Sequence, residues 1–243
     1  NASISANDTQ STIQDVDVPT VSVANASANE GSALVVVATL SQACPTKTVS
    51  LTWSNSAGTA VAGTNYTSVS AQVVSITAGN TAANLSTPTL DDGKYDTSKT
   101  INVTVSAATN ATIATASAVG TINNVTAVPT LAVNDITVSE GAGTATFIVT
   151  QSSASAMATT FHWSTVDGTA LAGSDYTAVG DTVATIAAGA TTASLTVTIL
   201  DDHVSESTEA FAVALVTPTN ATISDASGTA QITDNDLPAF NIS

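Results

Sequence analysis

The motif GTAxAGxxYT occurs at 58–67 and again at 168–177, an offset of 110 residues. The same offset separates Glu30 from Glu140, Trp53 from Trp163, Gly79 from Gly189 and Leu90-Asp91-Asp92 from Leu200-Asp201-Asp202, and it relates 109–113 to 219–223. A chain that repeats at this interval folds as two copies of one module, each of a size that buries a single core. It also carries its own alignment. What separates the copies is charge: residues 19–128 hold four carboxylates and three lysines, whereas 129–237 hold twelve carboxylates and no base. Two similar scaffolds of such different charge point to a cation site kept in one copy and degraded in the other.

Apolar residues alternate in short runs, as in Phe147/Val149, Leu195/Val197/Ile199 and Phe211/Val213/Leu215. In the first copy Leu34/Val36, Leu85 and Ile101/Val103/Val105 stand as their counterparts. Period-two runs rich in Val, Ile and Thr predict half-buried strands. Clusters of Gly, Asn, Asp and Ser separate them at roughly ten-residue spacing, which predicts about seven strands per copy and a β-sandwich. No helical periodicity competes. Trp53, Trp163, Tyr66 and Tyr176 are expected to anchor the two cores.

The net charge is −16 with no Arg and only Lys47, Lys94 and Lys99 as bases. A nucleic-acid partner or an anionic membrane surface is therefore not expected, because no basic patch neutralises phosphate. No run of 18 apolar residues marks a membrane span, and no signal peptide is visible. The single Cys44 has no partner for an internal disulfide, so a secreted module of this kind needs another staple, usually a metal.

The ends are out of phase with the copies. Asn1-Ala2-Ser3-Ile4 matches 110–113 and 220–223, and 13–19 matches 232–238. Residues 1–18 thus read as the end of a preceding repeat, with Asp15 and Asp17 as its closing acids. Residues 19–128 and 129–237 read as whole repeats, and 238–243 as the start of another. Such overhangs are expected to meet neighbouring repeats of an array, or to be donated as strands between subunits of a homopolymer.

The acids of the second copy gather where strands are predicted to end. Glu140 follows the first strand, and Asp175 lies in the motif loop. Asp201, Asp202, Glu206 and Glu209 share the run LDDHVSESTE, and Asp234 and Asp236 close the copy. One pole of a sandwich collects all eight. Two carboxylates ~4 Å apart repel by ~4 kcal/mol at an effective dielectric of 20, so such a pole needs a cation. Hard oxygen donors without His or Cys favour Ca²⁺ over Zn²⁺ or copper.

With SEG at 139–141, DGTAxAGxDYT at 167–177, LDDxxxExxEAF at 200–211 and DND at 234–236, the chain resembles the Calx-β family. That family comprises the calcium-binding β-sandwich modules of sodium–calcium exchangers, integrin β4 and many bacterial surface proteins. The resemblance implies an all-β fold of two tandem immunoglobulin-like antiparallel sandwiches with Ca²⁺ at one tip. It implies ligand roles for Glu140, Asp175, Asp201, Asp202, Glu206, Glu209, Asp234 and Asp236, and for the backbone carbonyl of Val204. In the first copy Glu30, Asp91, Asp92 and Asp96 stand at the positions of Glu140, Asp201, Asp202 and Glu206. Asn65 replaces Asp175, Lys99 replaces Glu209, and Asn124 and Thr126 replace Asp234 and Asp236. Lys99 is read as a built-in cation that takes the place of one Ca²⁺, leaving at most one weak ion there. Asp135, Asp167, Asp181 and Asp225 are read as turn or solvated residues, as Asp before Gly at 167 suggests.

His162 and His203 lack the nucleophile and orienting partner that catalysis requires, and no enzyme motif occurs. Several Asn-x-Ser/Thr triplets occur, as a chain rich in Ser and Thr generates by chance. The expected function is a non-enzymatic, calcium-stabilised structural repeat of a secreted or cell-surface bacterial protein, an adhesin stalk or filament. The alternative is a regulatory Ca²⁺ sensor coupled to another domain. A glycan-binding platform is disfavoured by aromatics at 4%.

Overall fold

The structure, a computed structural model, describes residues 18–237. The expected partial repeat at 1–18, all but Val18, and that at 238–243 lie outside the described residues, Asp15 and Asp17 with them. The first copy runs through β1 (Thr20–Val23), β2 (Ala26–Asn29), β3 (Ala33–Leu40), β4 (Val49–Ala57), β5 (Gln72–Ile76), β6 (Ala82–Pro88), β7 (Lys99–Thr109), β8 (Thr112–Thr115) and β9 (Ser117–Asn123). The second runs through β10 (Thr130–Val133), β11 (Ile136–Ser139), β12 (Thr144–Gln151), β13 (Thr159–Val166), β14 (Thr182–Ile186), β15 (Thr192–Thr198), β16 (Glu209–Val216), β17 (Thr222–Asp225) and β18 (Ser227–Thr233). A 3-10 turn at Glu140–Ala142 precedes β12. No helix of the described residues is long and apolar enough to cross a membrane.

Each copy is a sandwich of two sheets. In the first, β6-β3-β1-β8 forms a four-stranded sheet and β2-β9-β7-β4-β5 a five-stranded one; in the second the orders are β15-β12-β10-β17 and β11-β18-β16-β13-β14. Seven expected strands become nine because the first and last strands of each copy break and change sheets. At the first break Asn25 Oδ1 accepts the Val119 N–H at 2.8 Å, and at its counterpart Asp135 Oδ1 accepts the Thr229 N–H at 2.8 Å. Asp135 is therefore a strand-switch residue. The pairs β1/β8 and β2/β9 are parallel, as are β10/β17 and β11/β18, within sheets whose other pairs are antiparallel. Seven segments that alternate in direction leave the first and the last pointing the same way.

The alternation read from sequence is the alternation of burial: β12 follows the pattern exposed, buried, exposed, buried along its whole length. Trp53, Tyr66, Trp163 and Tyr176 are buried, each in the core of its own copy. Each fully buried large apolar side chain contributes about 1.5–3 kcal/mol relative to exposure. The offset of 110 fails locally. Val36 pairs with Leu85 whereas Phe147 pairs with Leu195, so Phe147 and Val149 correspond to Val36 and Ala38, not to Leu34 and Val36. The extra residue of the second copy falls before β12, where the chain makes the 3-10 turn.

The chain divides into two compact units: residues up to Leu90 with Lys99–Asn123, and Asp91–Ser98 with the residues from Asn124 on. Within the second unit the Tyr95 N–H donates to the Ala154 carbonyl at 3.2 Å. The Tyr95 carbonyl accepts from the Ala156 N–H at 2.9 Å and from the Ser155 hydroxyl at 3.1 Å.

Candidate metal centre

Four chain segments deliver the acids of the second copy to one place. Glu140 opens the 3-10 turn and is buried, with 5% of its surface exposed. The Leu200 N–H donates to the Asp175 carbonyl at 2.9 Å, which ties the loop after β15 to the motif loop. Glu209 starts β16 and pairs with Ile232 of β18, so it lies beside the segment that continues into Asp234 and Asp236. Two carboxylate groups result, Glu140/Asp201/Asp236 and Asp175/Glu206/Glu209, with the ligand-type oxygens of each group within 4.8 Å of one another. Glu140, Asp175, Glu206, Glu209 and Asp234 line one cavity of about 10 Å³, so the groups adjoin. That volume accommodates a single water-sized atom.

Desolvation raises the Glu140 carboxyl above its ordinary value of 4.5. The N–H of Asp202, 3.1 Å from Oε1, partly opposes the rise, and the charges of Asp202, Asp201 and Asp236 add to it. Glu209 is raised by desolvation, by a hydrogen bond to Asp175 and by the charges of Asp175, Glu206 and Glu140. Glu206 is raised by desolvation in the crowded loop and by Asp175, Asp202, Glu140 and Asp234. Crowding thus makes negative charge on these carboxyls costly unless a cation neutralises it.

Not every expected ligand joins the groups. Asp202 Oδ1 accepts the Val204 N–H at 2.7 Å. Asp234 Oδ1 accepts the Asp236 N–H at 2.9 Å, and its Oδ2 accepts the Glu206 N–H at 3.0 Å and the Ser205 hydroxyl at 3.2 Å. The Asp236 N–H leads the causes that lower the Asp234 carboxyl below 3.8. Asp202 and Asp234 therefore brace the loops that present the other acids. Val204 lies exposed in the loop.

The first copy keeps the bracing and loses the charge. Asp175 Oδ2 accepts the Leu171 N–H at 2.6 Å, and Asn65 Oδ1 accepts the Val61 N–H at 2.8 Å. Likewise Asn124 Oδ1 accepts the Thr126 N–H at 3.3 Å, as Asp234 does that of Asp236. An Asn supplies the one oxygen each turn needs, and an amide nitrogen replaces the second. Asp91 Oδ1 accepts the Gly93 N–H at 2.8 Å and Asp92 Oδ1 the Lys94 N–H at 3.1 Å, as Asp202 does that of Val204. Asp96 Oδ1 accepts the N–H of Thr97 at 2.6 Å. Lys99 pairs with Ile122 in the register that Glu209 holds with Ile232.

One contributor is missed by reading Asp167 as a turn residue. Its Oδ1 accepts the Tyr176 hydroxyl at 2.5 Å and the Ala172 N–H at 3.0 Å, buckling the motif loop that carries Asp175. Burial, with that bond, pushes the Tyr176 hydroxyl up to about 12. The Tyr176 ring stacks on Phe211 at 4.2 Å, two residues from Glu209. The first copy has Ala57 at the Asp167 position and Ile101 at that of Phe211, and the contrast between copies was the available signal.

The donor set fits a hard divalent cation. The two groups contain only carboxylates. Asp236 Oδ2 is buried without a hydrogen-bond partner, an oxygen left for a ligand. The acids that approach in the second copy would hold such an ion, and its charge would offset the mutual repulsion that helps to raise Glu140, Glu206 and Glu209.

The family model of the Calx-beta domain matches residues 7–130 and again 122–236. No curated protein matches the chain. Among solved structures, the apo-form Calx CBD1 domain is 23% identical over 44% of this chain and 99% of its own, with a TM-score of 0.41. The CBD12 pair from CALX1.2 is 13% identical over 87% and 98%, with a TM-score of 0.42. A tetra-tandem repeat from the extending region of a large adhesion protein is 14% identical over 88% of this chain and 48% of its own, with a TM-score of 0.41. The assignment rests on the family match, which spans both copies: the chain belongs to the Calx-beta family of calcium-binding domains and holds two of them in tandem.

Proposed function

We propose that this chain is a calcium-stabilised structural segment of a secreted or cell-surface bacterial protein, an adhesin stalk or filament, and is not an enzyme. Ca²⁺ is held by the second copy through Glu140, Asp175, Asp201, Glu206, Glu209 and Asp236, on loops braced by Asp202 and Asp234. The first copy, with its reduced acid set, binds at most weakly. The observation that carries this reading is the pair of adjoining carboxylate groups built around a buried Glu140 and an unpartnered Asp236 oxygen. Ca²⁺ cross-links three loops and the end of β18, so the bound copy opens less readily. Binding to the folded state alone stabilises by ~2.7 kcal/mol at a hundredfold excess over Kd.

Calorimetric melting of the chain in calcium and in EDTA tests the proposal. The second copy's transition is expected to fall by several degrees in EDTA while that of the first barely moves. Two transitions indifferent to EDTA would remove the calcium role. Titration calorimetry then separates the uses of the site: a stalk needs only the weak affinity that millimolar extracellular calcium saturates, whereas a sensor needs micromolar binding.

A further inference from the structure

The loop after β6, Asp91–Ser98, and the loop after β15, 201–208, are counterparts, with Ser205 at the place of Tyr95. Their docking edges are counterparts too. Gly79 N–H donates to the Cys44 carbonyl at 2.8 Å as Gly189 N–H does to that of Ser155 at 2.7 Å. Asn110 Nδ2 donates to the Thr48 carbonyl and Asn220 Nδ2 to the Ala158 carbonyl, at 2.8 and 2.9 Å. Residues 43–45 of the first unit thus stand where 154–156 stand in the second. In the second unit that edge carries Tyr95, bonded through Ala154, Ser155 and Ala156. In the first unit it opens on a cavity of about 140 Å³, lined by Val18, Pro19, Ala43, Cys44, Pro45 and Lys47 among others.

We propose that this cavity receives the 201–208 loop of a second copy of the chain, joining copies head to tail. Charge and shape select that occupant. The loop carries Asp201, Asp202 and Glu206, and the exposed Val204 lies at its middle. The cavity carries Lys47, one of only three bases in the chain, whereas 154–158 is uncharged. A mixed pocket, with Val18, Pro19 and Ala43 as its apolar part and Gln42, Thr46 and Asn110 as its polar part, beside an ammonium suits an acidic loop with an apolar tip. Pro45 lacks the N–H that Ala156 donates, so the contact relies on filling the cavity and on charge more than on backbone pairing. A surface that binds a different surface of the next copy does not close on itself, and it propagates a filament. The proposal goes beyond the calcium reading, and its apolar contact through the exposed Val204 does not depend on it, while calcium on Asp201 and Glu206 would weaken only the charge contribution of the loop.

Sedimentation equilibrium of the full chain reads the contact. The weight-average mass is expected to rise with concentration up to about 1 mM, in chelator as in calcium, and to rise less at high salt. Cys44→Trp, which fills the cavity, and Val204→Asp, on the exposed loop, are each expected to weaken association at least about tenfold. An equimolar mixture of the two variants restores dimers, because one intact cavity then meets one intact loop. Oxidised Ser205→Cys chains are expected to link Cys44 to the introduced thiol at 205, as peptide mapping shows, even if Cys44→Trp fails to fold. A chain that stays monomeric throughout, a Val204→Asp variant that associates as before, or links only between pairs of Cys44 would overturn the proposal. None of these outcomes bears on the EDTA melting experiment.

Discussion

At the residue scale the two copies show which atoms a position needs. Asn65 and Asp175 each give one oxygen to a backbone N–H four residues earlier, so the turn is satisfied by either side chain. Asp175→Asn is therefore expected to leave the second copy folded while weakening Ca²⁺ binding about tenfold, a loss of ~1.4 kcal/mol. Asp175→Ala loses the turn bond as well, at a further cost of ~1 kcal/mol. Calorimetric titration of each variant, with its melting curve, separates the two effects. Packing offers the same comparison. A Cβ on Gly120 would meet Leu34 at 2.7 Å, and one on Gly228 would meet the Asn134 carbonyl at 2.5 Å and Phe147 at 3.2 Å. The larger core residue in each copy thus faces a glycine. Gly228→Ala is expected to destabilise the second copy by ~1–3 kcal/mol in denaturant unfolding, because the backbone oxygen has no room to move aside.

At the element scale the acids act through the loops that hold them. Glu140 and Glu209 have carboxyls raised above 4.5 in the folded protein. A raised carboxyl stabilises the fold fully below its unfolded value, and that contribution is lost as pH rises through the folded value. Without calcium, the second copy should therefore melt higher as pH falls from 7 toward 4.5. The opposite sign belongs to Asp234, whose lowered carboxyl helps above its unfolded value and fails only at more acidic pH. With Ca²⁺ present the trend from 7 toward 4.5 should reverse, since protons then compete with the ion. Melting temperatures across that range, with EDTA and with calcium, check both slopes.

At the scale of the whole molecule, two sandwiches of one design differ in their need for metal. The first copy has an Asn at two bracing positions and Lys99 at a charged one, and its stability is expected to be insensitive to EDTA. Converting it by Asn65→Asp with Lys99→Glu should raise calcium uptake by the chain, measured as ions bound per chain in equilibrium dialysis. An unchanged stoichiometry would show that Asn124 and Thr126 also withhold the site.

The duplication, the strands, the buried faces and the set of acids were all legible in the sequence. Each is written in local spacing: a 110-residue offset, a period of two, and acids at predicted strand ends. The tertiary structure alone decided which acids converge. Glu140, Asp201 and Asp236 approach one another from three separate segments, while Asp202 and Asp234 stay outside both carboxylate groups. It also decided where the repeat slips by one residue, since the extra residue is absorbed by the turn that positions Glu140. The segments that converge lie far apart in the chain, and only folding brings their carboxylates within reach of one another, so no local spacing encodes the convergence.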